Sequence, residues 1–431
     1  MVPVLAHGVG ARGDLPLPFW LFAYAASFAL LISFAALWLL WPKPRLAAAT
    51  AGRDLPDWIQ QAAPRATTVA RIVGLALFLG TFVAAAFGQP DAAANVAPYL
   101  LYVAFWVGMQ FAVPILGDVW RTLNPLDTLA RAFRIPDRGD TPQWTAAVML
   151  LSFAWLELAY YEPSDPRVIA LWLGAYTVAA MAGASVWGRG WLRTGEGFSA
   201  LFGLLAHLAP FYRDPDSRRL RVRVPLAGLA EVTVRRGTAA VVVVALGSTS
   251  FDGVTRSQVW TNLRFDHSLV GWRLTAVSTA GLLATVAAVG LVYWAATAVV
   301  AAITKRPVAA MAKAFVPSLI PIVLAYTVAH YFSLLVFESQ TTLALASDPL
   351  GRGWDLLGTV HLTPDYNALS SSAIAWVQAG AIVVGHILGV TAAHDRAVEL
   401  FPVRKAMNSQ LPMVGAMVAY TVGGLALLLG T

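Results

Sequence analysis

Four polar side chains that suit metal binding or proton transfer interrupt long apolar stretches of this sequence. Glu157 lies in SFAWLELAYY, His330 in LAYTVAHYFSLL, Asp252 in GSTSFDG, and Gln110 in a stretch that Pro114 is expected to kink. An ionisable group in a membrane helix costs at least about 2.5–3.5 kcal/mol on insertion scales, so each is a functional candidate by default. At similar depth they suit a divalent metal such as zinc, copper or iron, or a general acid–base pair. The alternative is hydrogen bonding that holds neighbouring helices together.

The heptapeptide GSTSFDG, from Gly247 to Gly253, directly follows an apolar run that begins at Gly237. A helix from Gly237 to Gly247 advances about 16 Å, whereas the hydrocarbon core of a bilayer is about 30 Å thick. We therefore expect a helix that stops at membrane depth, with irregular backbone enclosed by protein or lining a watery cavity. Such a half-helix is a common way to build a ligand site, and it would place Asp252 in an outward-facing pocket. The alternative is a helix that begins near Leu229 and leaves Asp252 in an outer loop.

Two further histidines, His386 and His394, lie eight residues apart in VVGHILGVTAAHDR. They share one helix face, but about 12 Å of helix axis separates them, which is too far for one mononuclear metal site. His386 is the deeper of the two, and it is a candidate metal ligand, haem ligand or member of a proton relay. We expect His394 and Asp395 to form an interfacial cap at the cytoplasmic boundary, where Arg396 can pair with Asp395.

The N-terminal segment HGVGARGDLPLP begins at His7. The preceding residues have the small-residue spacing of a signal-peptide cleavage site. If cleavage follows Ala6, the amine and imidazole of His7 would together bind Cu(II), since copper favours nitrogen ligands. The alternative is an ordinary short N-terminal tail.

Composition places the chain among polytopic membrane proteins. Its 431 residues are 58% hydrophobic and 12% charged, whereas soluble domains are about half apolar and about a quarter charged. The absence of cysteine excludes thiolate metal sites, iron–sulfur clusters, disulfides and cysteine nucleophiles. The net charge of +7 fits basic residues retained in cytoplasmic loops, and we find no nucleic-acid-binding motif.

The apolar segments predict an all-α polytopic integral membrane protein, a single membrane domain over residues 1–431 with about ten transmembrane helices. The predicted spans are Leu17–Trp41, Val69–Gly88, Ala97–Leu116, Trp144–Tyr161, Arg167–Trp187, the short Gly237–Gly247, Trp272–Ile303, Ala310–Phe337, Ser371–Ala393 and Leu411–Leu429.

Lys and Arg are concentrated in every second loop between these spans. The positive-inside rule therefore predicts a multi-pass protein of the cell membrane with both termini extracytoplasmic. Residues 188–236 are expected to form a cytoplasmic insertion with an interfacial helix, GEGFSALFGLLAHLAPF, and a small β-hairpin, RLRVRVPLAGLAEVTVRR. Residues 338–370 are expected to form a cap over the outer face.

Several motifs carry a resemblance to a known family. They are HGVGARGDLPLPFWLFAYAASFALLISFAALWLLWP, GDVWRTLNP, LGSTSFDG, AHYFSLL, SDPLGRGWDL and GHILGVTAAHDRA. The chain resembles an actinobacterial family of polytopic membrane proteins often labelled fenitrothion hydrolase, and the resemblance covers essentially the whole chain. The label implies hydrolysis of a phosphotriester, in which water displaces a phenolate. That reaction commonly needs a metal-activated hydroxide and a polarised phosphoryl group.

Two hypotheses from different classes remain open. The first is a membrane-embedded hydrolase of hydrophobic organophosphates, in which Asp252, His330 and Glu157 hold a metal and Ser250 or Thr249 orients water or substrate. The second is a transporter, or a membrane protein that binds copper or haem. There His7 and the face shared by His386 and His394 form a path. The bilayer is the expected partner in both, with a small hydrophobic substrate and other membrane subunits as further candidates.

Overall fold

The long apolar segments of the chain are helices, because only a helix pairs all of its backbone N–H and C=O groups within one segment inside a bilayer. The computed structural model describes residues 19–139 and 141–429. Its helices are α1 (Phe19–Leu40), α2 (Asp57–Phe87), α3 (Val96–Pro98), α4 (Gly108–Leu116), α5 (Trp120–Leu123), α6 (Pro125–Ala132), α7 (Trp144–Leu158), α8 (Pro166–Trp187), α9 (Trp191–Thr194), α10 (Gly197–Leu205), α11 (Thr238–Thr255), α12 (Gln258–Asp266), α13 (Gly271–Thr304), α14 (Val308–Phe315), α15 (Ile320–Ala346), α16 (Ser371–Leu400) and α17 (Val403–Leu429). A π-helix, Tyr99–Val107, joins α3 to α4.

Nine helical segments of the described chain are long and apolar enough to cross a membrane, as expected of an all-α multi-pass protein. They are α1, α2, the segment from α3 to α4, α8, α11, α13, the segment from α14 to α15, α16 and α17. The predicted span Trp144–Tyr161 is represented by α7, which has 15 residues and is about 22 Å long, shorter than a hydrocarbon core.

The two ends of α7 nevertheless reach opposite faces of the bundle. At one end the Gln143 N–H donates to the Arg236 carbonyl (2.6 Å), and at the other the Tyr161 N–H donates to Thr275 Oγ1 (3.1 Å). The first of these faces carries the loops rich in arginine and is called the arginine-rich face below. The second is called the opposite face.

A small antiparallel sheet lies on the arginine-rich face, with the strand order β1 (Arg53–Asp54), β3 (Leu220–Val222), β2 (Phe211–Arg213). Val222 lies opposite both Arg53 and Phe211. Strand β3 falls within the predicted hairpin, but it pairs with two earlier strands. The later part of the predicted hairpin cannot pair in this way, since Ala227–Glu231 is a 3-10 helix.

The predicted interfacial helix forms α10, which is buried in the core. Phe198 and Phe202 are 4% and 0% exposed, and both contact the Phe105 ring, with centroid distances of 4.7 Å and 5.8 Å. A helix that is apolar on every side is expected to be buried, and GFSALFGLL has this character.

The segment GSTSFDG does not interrupt its helix, so the predicted half-helix Gly237–Gly247 is wrong. Helix α11 continues to Thr255 and is about 27 Å long, close to the thickness of a hydrocarbon core. Its hydroxyl groups bond to carbonyls of the same helix: Thr249 to Ala245 (2.9 Å) and Ser250 to Leu246 (2.8 Å). Such bonds let serine and threonine remain inside a helix.

Gly247 allows close packing between helices and does not break its own helix. A Cβ atom at this position would lie 2.6 Å from the Cα of Val286 in α13, so only glycine permits this approach. Helix α11 also packs against α7, α15 and α17, and 72% of its span is buried, compared with 11% for α1. It is therefore an inner helix of the bundle, whereas α1 faces the surroundings.

Candidate functional site

The side chains of Asp252 and His330 meet where α11 packs against α15. His330 Nδ1 lies 3.3 Å from Asp252 Oδ2, and the two side chains are 1% and 0% exposed. The half-helix that suggested this pocket is absent, yet the two residues that it was meant to bring together are in contact. The contact is buried within the bundle and does not open to an irregular backbone segment.

Arg256 completes the contact. Its Nη2 donates to Asp252 Oδ2 at 3.0 Å, and its side chain is 21% exposed. Arg256 directly follows the last residue of α11, and its spacing of four residues from Asp252 puts the two side chains on one face. Asp252 thus accepts from a guanidinium at the end of its own helix and contacts an imidazole on the neighbouring one. We call Asp252, His330 and Arg256 the buried triad.

Gly253 leaves room for the triad between three helices. A Cβ atom here would lie 3.0 Å from the Leu427 Cβ of α17 and 3.4 Å from His330 Cε1. A larger residue would push α17 or the imidazole away. The dipeptide Asp252–Gly253 therefore supplies both the charge and the space beside it.

Glu157 lies beside the triad, on α7. It is 8% exposed and close enough to interact electrostatically with Asp252 and Arg256. Tyr102 and Tyr331 lie near the same carboxylate. Over residues 19–139 and 141–429, however, no three His, Asp or Glu side chains are grouped closely enough to hold a metal ion. The predicted ligands Asp252, His330 and Glu157 are thus neighbours without forming a three-ligand cluster.

Gln110 links helices next to the triad. Its Oε1 accepts from Thr327 Oγ1 at 2.8 Å, and its Nε2 donates to the Trp106 carbonyl at 3.2 Å. Thr327 lies one helical turn before His330. Interhelical bonding of this kind is the alternative that the sequence offered for Gln110.

The predicted catalytic hydroxyls are engaged in the bundle. Besides its bond to Leu246, Ser250 Oγ lies 2.7 Å from the Tyr420 hydroxyl of α17, and Thr249 bonds only to its own helix among the contacts described. Both residues are buried. In this arrangement the hydroxyls stabilise the packing of α11, and Ser250 also connects it to α17.

His386 is a second buried histidine close to the triad. Its Nδ1 lies 2.8 Å from the Ile382 carbonyl, so Nδ1 carries the hydrogen, because a carbonyl can only accept. In the neutral ring Nε2 then presents a lone pair, and within the described residues this atom is buried without a hydrogen-bond partner. The Tyr326 ring lies between the two histidines, 6.0 Å from His386 and 6.3 Å from His330.

His394 and Asp395 fix the connection after α1. His394 Nε2 lies 2.9 Å from the Trp41 carbonyl, and Asp395 Oδ1 accepts from Trp41 Nε1 (2.9 Å) and the Arg45 N–H (2.6 Å). Arg396, the expected partner of Asp395, instead pairs with Glu399 at 2.6 Å. The predicted copper ligand His7 lies outside the described residues.

Arg256 and Tyr326 are the site residues that sequence reasoning missed. Each has a recognisable spacing: Arg256 follows Asp252 by four residues, and Tyr326 precedes His330 by four, so each shares a helix face with a predicted residue. Comparison with profiles of known protein families, with curated proteins and with solved structures finds no match for this chain.

Proposed function

We propose that this chain is a proton-coupled membrane transporter, with the buried triad as its proton-binding site. The observation that carries the proposal is the 3.3 Å contact between Asp252 and His330, on two different helices and shielded from solvent. Carboxylates and histidines in membrane segments are expensive, and they mark proton relays and substrate paths.

The charges of the triad explain how a proton would act on the bundle. With His330 neutral, the carboxylate and the guanidinium sum to zero. One proton on the Asp252–His330 pair raises the local charge to +1, which is costly in a poorly hydrated interior. The contact between α11 and α15 therefore has a reason to rearrange when the pair changes protonation state.

The polar groups around the triad extend in both directions along the bundle. Arg256 is partly exposed near the end of α11, and Tyr326 leads from His330 to the lone pair of His386. With the arginine-rich face placed in the cytoplasm by the positive-inside rule, the proton would enter from outside past Arg256. His386 would lie further inward on this path.

Phosphotriester hydrolysis, implied by the family resemblance, is the second candidate. The specific feature in its favour is a carboxylate that orients an imidazole beside a guanidinium. These groups would serve as a general base and as a cation for the phosphoryl oxygen. A general base must come within about 3 Å of the proton that it removes. Because Asp252 is 0% and His330 1% exposed, hydrolysis requires α11 and α15 to separate first. This requirement puts hydrolysis second.

One reconstitution experiment tests both candidates. Purified protein is placed in vesicles that contain a pH-sensitive dye, and a potassium diffusion potential is imposed. A panel of amines, organic anions and a nitrophenyl phosphotriester is then added. For transport we expect solute-dependent proton movement in the wild type and its loss in Asp252→Asn and His330→Gln. Hydrolysis would instead release nitrophenolate, seen by its absorbance.

Asp266→Asn and His361→Gln are the matched controls. They make the same chemical changes at exposed positions outside the triad, and they should keep wild-type proton movement. Proton movement that persists in Asp252→Asn and His330→Gln would contradict the assignment of the triad. Absence of solute-dependent proton movement in folded wild type across the panel, with nitrophenolate released, would replace transport by hydrolysis.

A further inference from the structure

Arg71 is a cation within the apolar part of α2. The polar first turns of this helix give way at Val69 to an apolar run that continues to Phe87, and Arg71 lies in the first turn of that run. Val69 and Ile72, which flank Arg71 in the sequence, are 60% and 64% exposed on the outside of the bundle. An arginine within a lipid-facing span is costly unless an anion accompanies it.

The level of Arg71 in the membrane follows from the length of the helix. Helix α2 begins on the arginine-rich face, where Asp57 pairs with Arg219 at 2.8 Å, and it ends at Phe87 on the opposite face. From Phe87 to Arg71 the helix advances about 24 Å, whereas a hydrocarbon core is about 30 Å thick. The Cα atom of Arg71 therefore lies about one helical turn inside the hydrocarbon boundary. An arginine side chain can extend its guanidinium over this distance to the headgroups.

Arg71 has no partner within the described part of the chain. Its Nε is buried without a hydrogen bond, and its side chain forms no ion pair with any described residue. Several other arginines of the arginine-rich face are instead paired with a carboxylate, among them Arg131, Arg189, Arg193, Arg219, Arg221 and Arg223. The contrast leaves Arg71 available for an anion that the described chain does not supply.

Arg121 lies on the helix that packs against α2 beside Arg71. A Cβ atom at Gly74 would collide with the Leu123 carbonyl of α5, so the two helices touch one turn beyond Arg71. Arg121 precedes Leu123 by two residues and is exposed. Its backbone N–H donates to Asp118 Oδ1 at 3.1 Å. Arg71 and Arg121 thus flank a single contact between two helices.

Arg213 adds a third cation from the sheet. A Cβ atom at Gly117 would collide with the Phe211 carbonyl, so β2 begins against the end of the span that α4 completes. Leu116, the last residue of α4, is 55% exposed, which places this contact at the edge of the lipid-facing surface. Arg213 follows Phe211 by two residues, is exposed and interacts electrostatically with Arg121.

The carboxylates near these arginines do not cancel their charge. Asp214, at the end of β2, is engaged by Arg221 at 3.2 Å. Asp216 and Arg218 are both exposed in the turn between β2 and β3 and offset each other. Among the residues that the structure describes, Asp118 is then left to balance three guanidiniums, so the surface stays positively charged.

We propose that Arg71, Arg121 and Arg213, called the arginine cluster below, bind the phosphate of an anionic phospholipid in the leaflet next to the arginine-rich face. Guanidinium groups recognise phosphate oxygens through pairs of parallel hydrogen bonds. The cluster lies where the apolar surfaces of α2 and α4 end, so one lipid can place its acyl chains on the spans and its headgroup on the arginines. Basic pockets beside spans are suited to anionic headgroups. This proposal does not depend on the transport proposal.

Native mass spectrometry of the purified protein measures lipid binding directly. Phosphatidylglycerol and phosphatidylcholine with identical acyl chains are titrated separately into delipidated wild type and into Arg71→Gln, Arg121→Gln and Arg213→Gln. Each substitution should weaken phosphatidylglycerol binding about five-fold, the contribution of one basic residue near an anionic membrane surface. Phosphatidylcholine should bind the wild type more weakly, because it carries no net charge, and its binding should change little in the variants.

Arg306→Gln is the matched control. It removes an exposed arginine that follows α13 on the same face but lies outside the arginine cluster, so it should keep the wild-type affinity. Arg71→Lys keeps the charge and loses the planar guanidinium, and it should retain part of the affinity that Arg71→Gln loses. Unfolding midpoints followed by tryptophan fluorescence show which variants are folded.

Three results would overturn the proposal. Unchanged phosphatidylglycerol affinity in folded variants of the arginine cluster would show that these residues do not bind the headgroup. An equal loss in Arg306→Gln would show attraction to the overall charge of the face. Displacement of the lipid by millimolar inorganic phosphate would show a site for a soluble anion.

Discussion

The buried triad makes a quantitative prediction about folding that requires no knowledge of the substrate. In Asp252→Asn the guanidinium of Arg256 and the imidazole of His330 both lose a fully buried carboxylate. Breaking a buried ion pair by removing one partner costs about 3–5 kcal/mol. In His330→Leu the pair between Asp252 and Arg256 survives, so only a hydrogen bond to a charged group is lost, at about 1.5–3 kcal/mol.

The double variant Asp252→Asn with His330→Leu separates a real contact from mere proximity. Asp252→Asn already removes the charge that strengthens the bond to His330, so the double variant should cost less than the sum of the two single variants by at least about 1 kcal/mol. Unfolding by denaturing detergent, followed by the intrinsic fluorescence of the 16 tryptophans, measures all four proteins. Additivity within about 0.3–0.5 kcal/mol, or a cost below 1 kcal/mol or so for Asp252→Asn, would refute the description of the triad as a buried ion pair.

Three further predictions use the same unfolding assay. Gly247→Leu should cost at least about 1–3 kcal/mol, because its side chain would enter the space held by Val286 at 2.6 Å; an unchanged midpoint would contradict this close packing. Hydrogen bonds from Arg193 lower the pKa of Asp137 to about 2, so this pair contributes above pH 4 or so and its contribution is lost as the pH falls through 2. Since the Asp137 side chain is 35% exposed, Asp137→Asn should cost only a few tenths of a kcal/mol at neutral pH, a difference that disappears in acid; a constant difference would contradict the pairing. Asp395→Ala should cost about 1–3 kcal/mol and increase proteolysis in the connection after α1, whose backbone it binds; unchanged proteolysis would contradict this role.

The sequence predicted the membrane-spanning character of the chain, because about 20 consecutive apolar residues leave few alternatives to a helix. It failed at α11, where glycine and hydroxyl residues suggested a break. Their effect depends on surroundings: Ser250 bonds to Leu246 within its own helix, and Gly247 fits against α13. The fit of Gly247 cannot be predicted without knowing which helix is its neighbour.

The half-helix that suggested a contact between Asp252 and His330 is absent. Their similar depth was enough to place the two residues near each other, and depth follows from counting residues along helices that run between two faces. Arg256, which neutralises Asp252, was missed because it lies near a helix end, where a charged residue does not by itself indicate a functional site. A search for four-residue spacings around each buried carboxylate would have found it.

The packing between α15 and α16 indicates which way the proposed proton path is closed. Beside His386, a Cβ atom at Gly385 would lie 2.1 Å from Ala325 Cβ, and one turn further toward the arginine-rich face a Cβ atom at Gly389 would lie 2.9 Å from the Ser318 carbonyl, just before α15. The helices therefore touch over this stretch, and close backbone contact leaves little room for water. Asp395, which lines a cavity of about 70 Å³ on the arginine-rich face, is about 13 Å further along α16 than His386.

Arg256, by contrast, is partly exposed toward the opposite face. The structure thus connects the triad to one face and separates it from the other by a glycine-lined helix contact. A transporter that passes a proton inward from His386 must part α15 and α16 at Gly385 and Gly389. Bulky residues at these two positions should therefore alter transport even though neither side chain touches the triad.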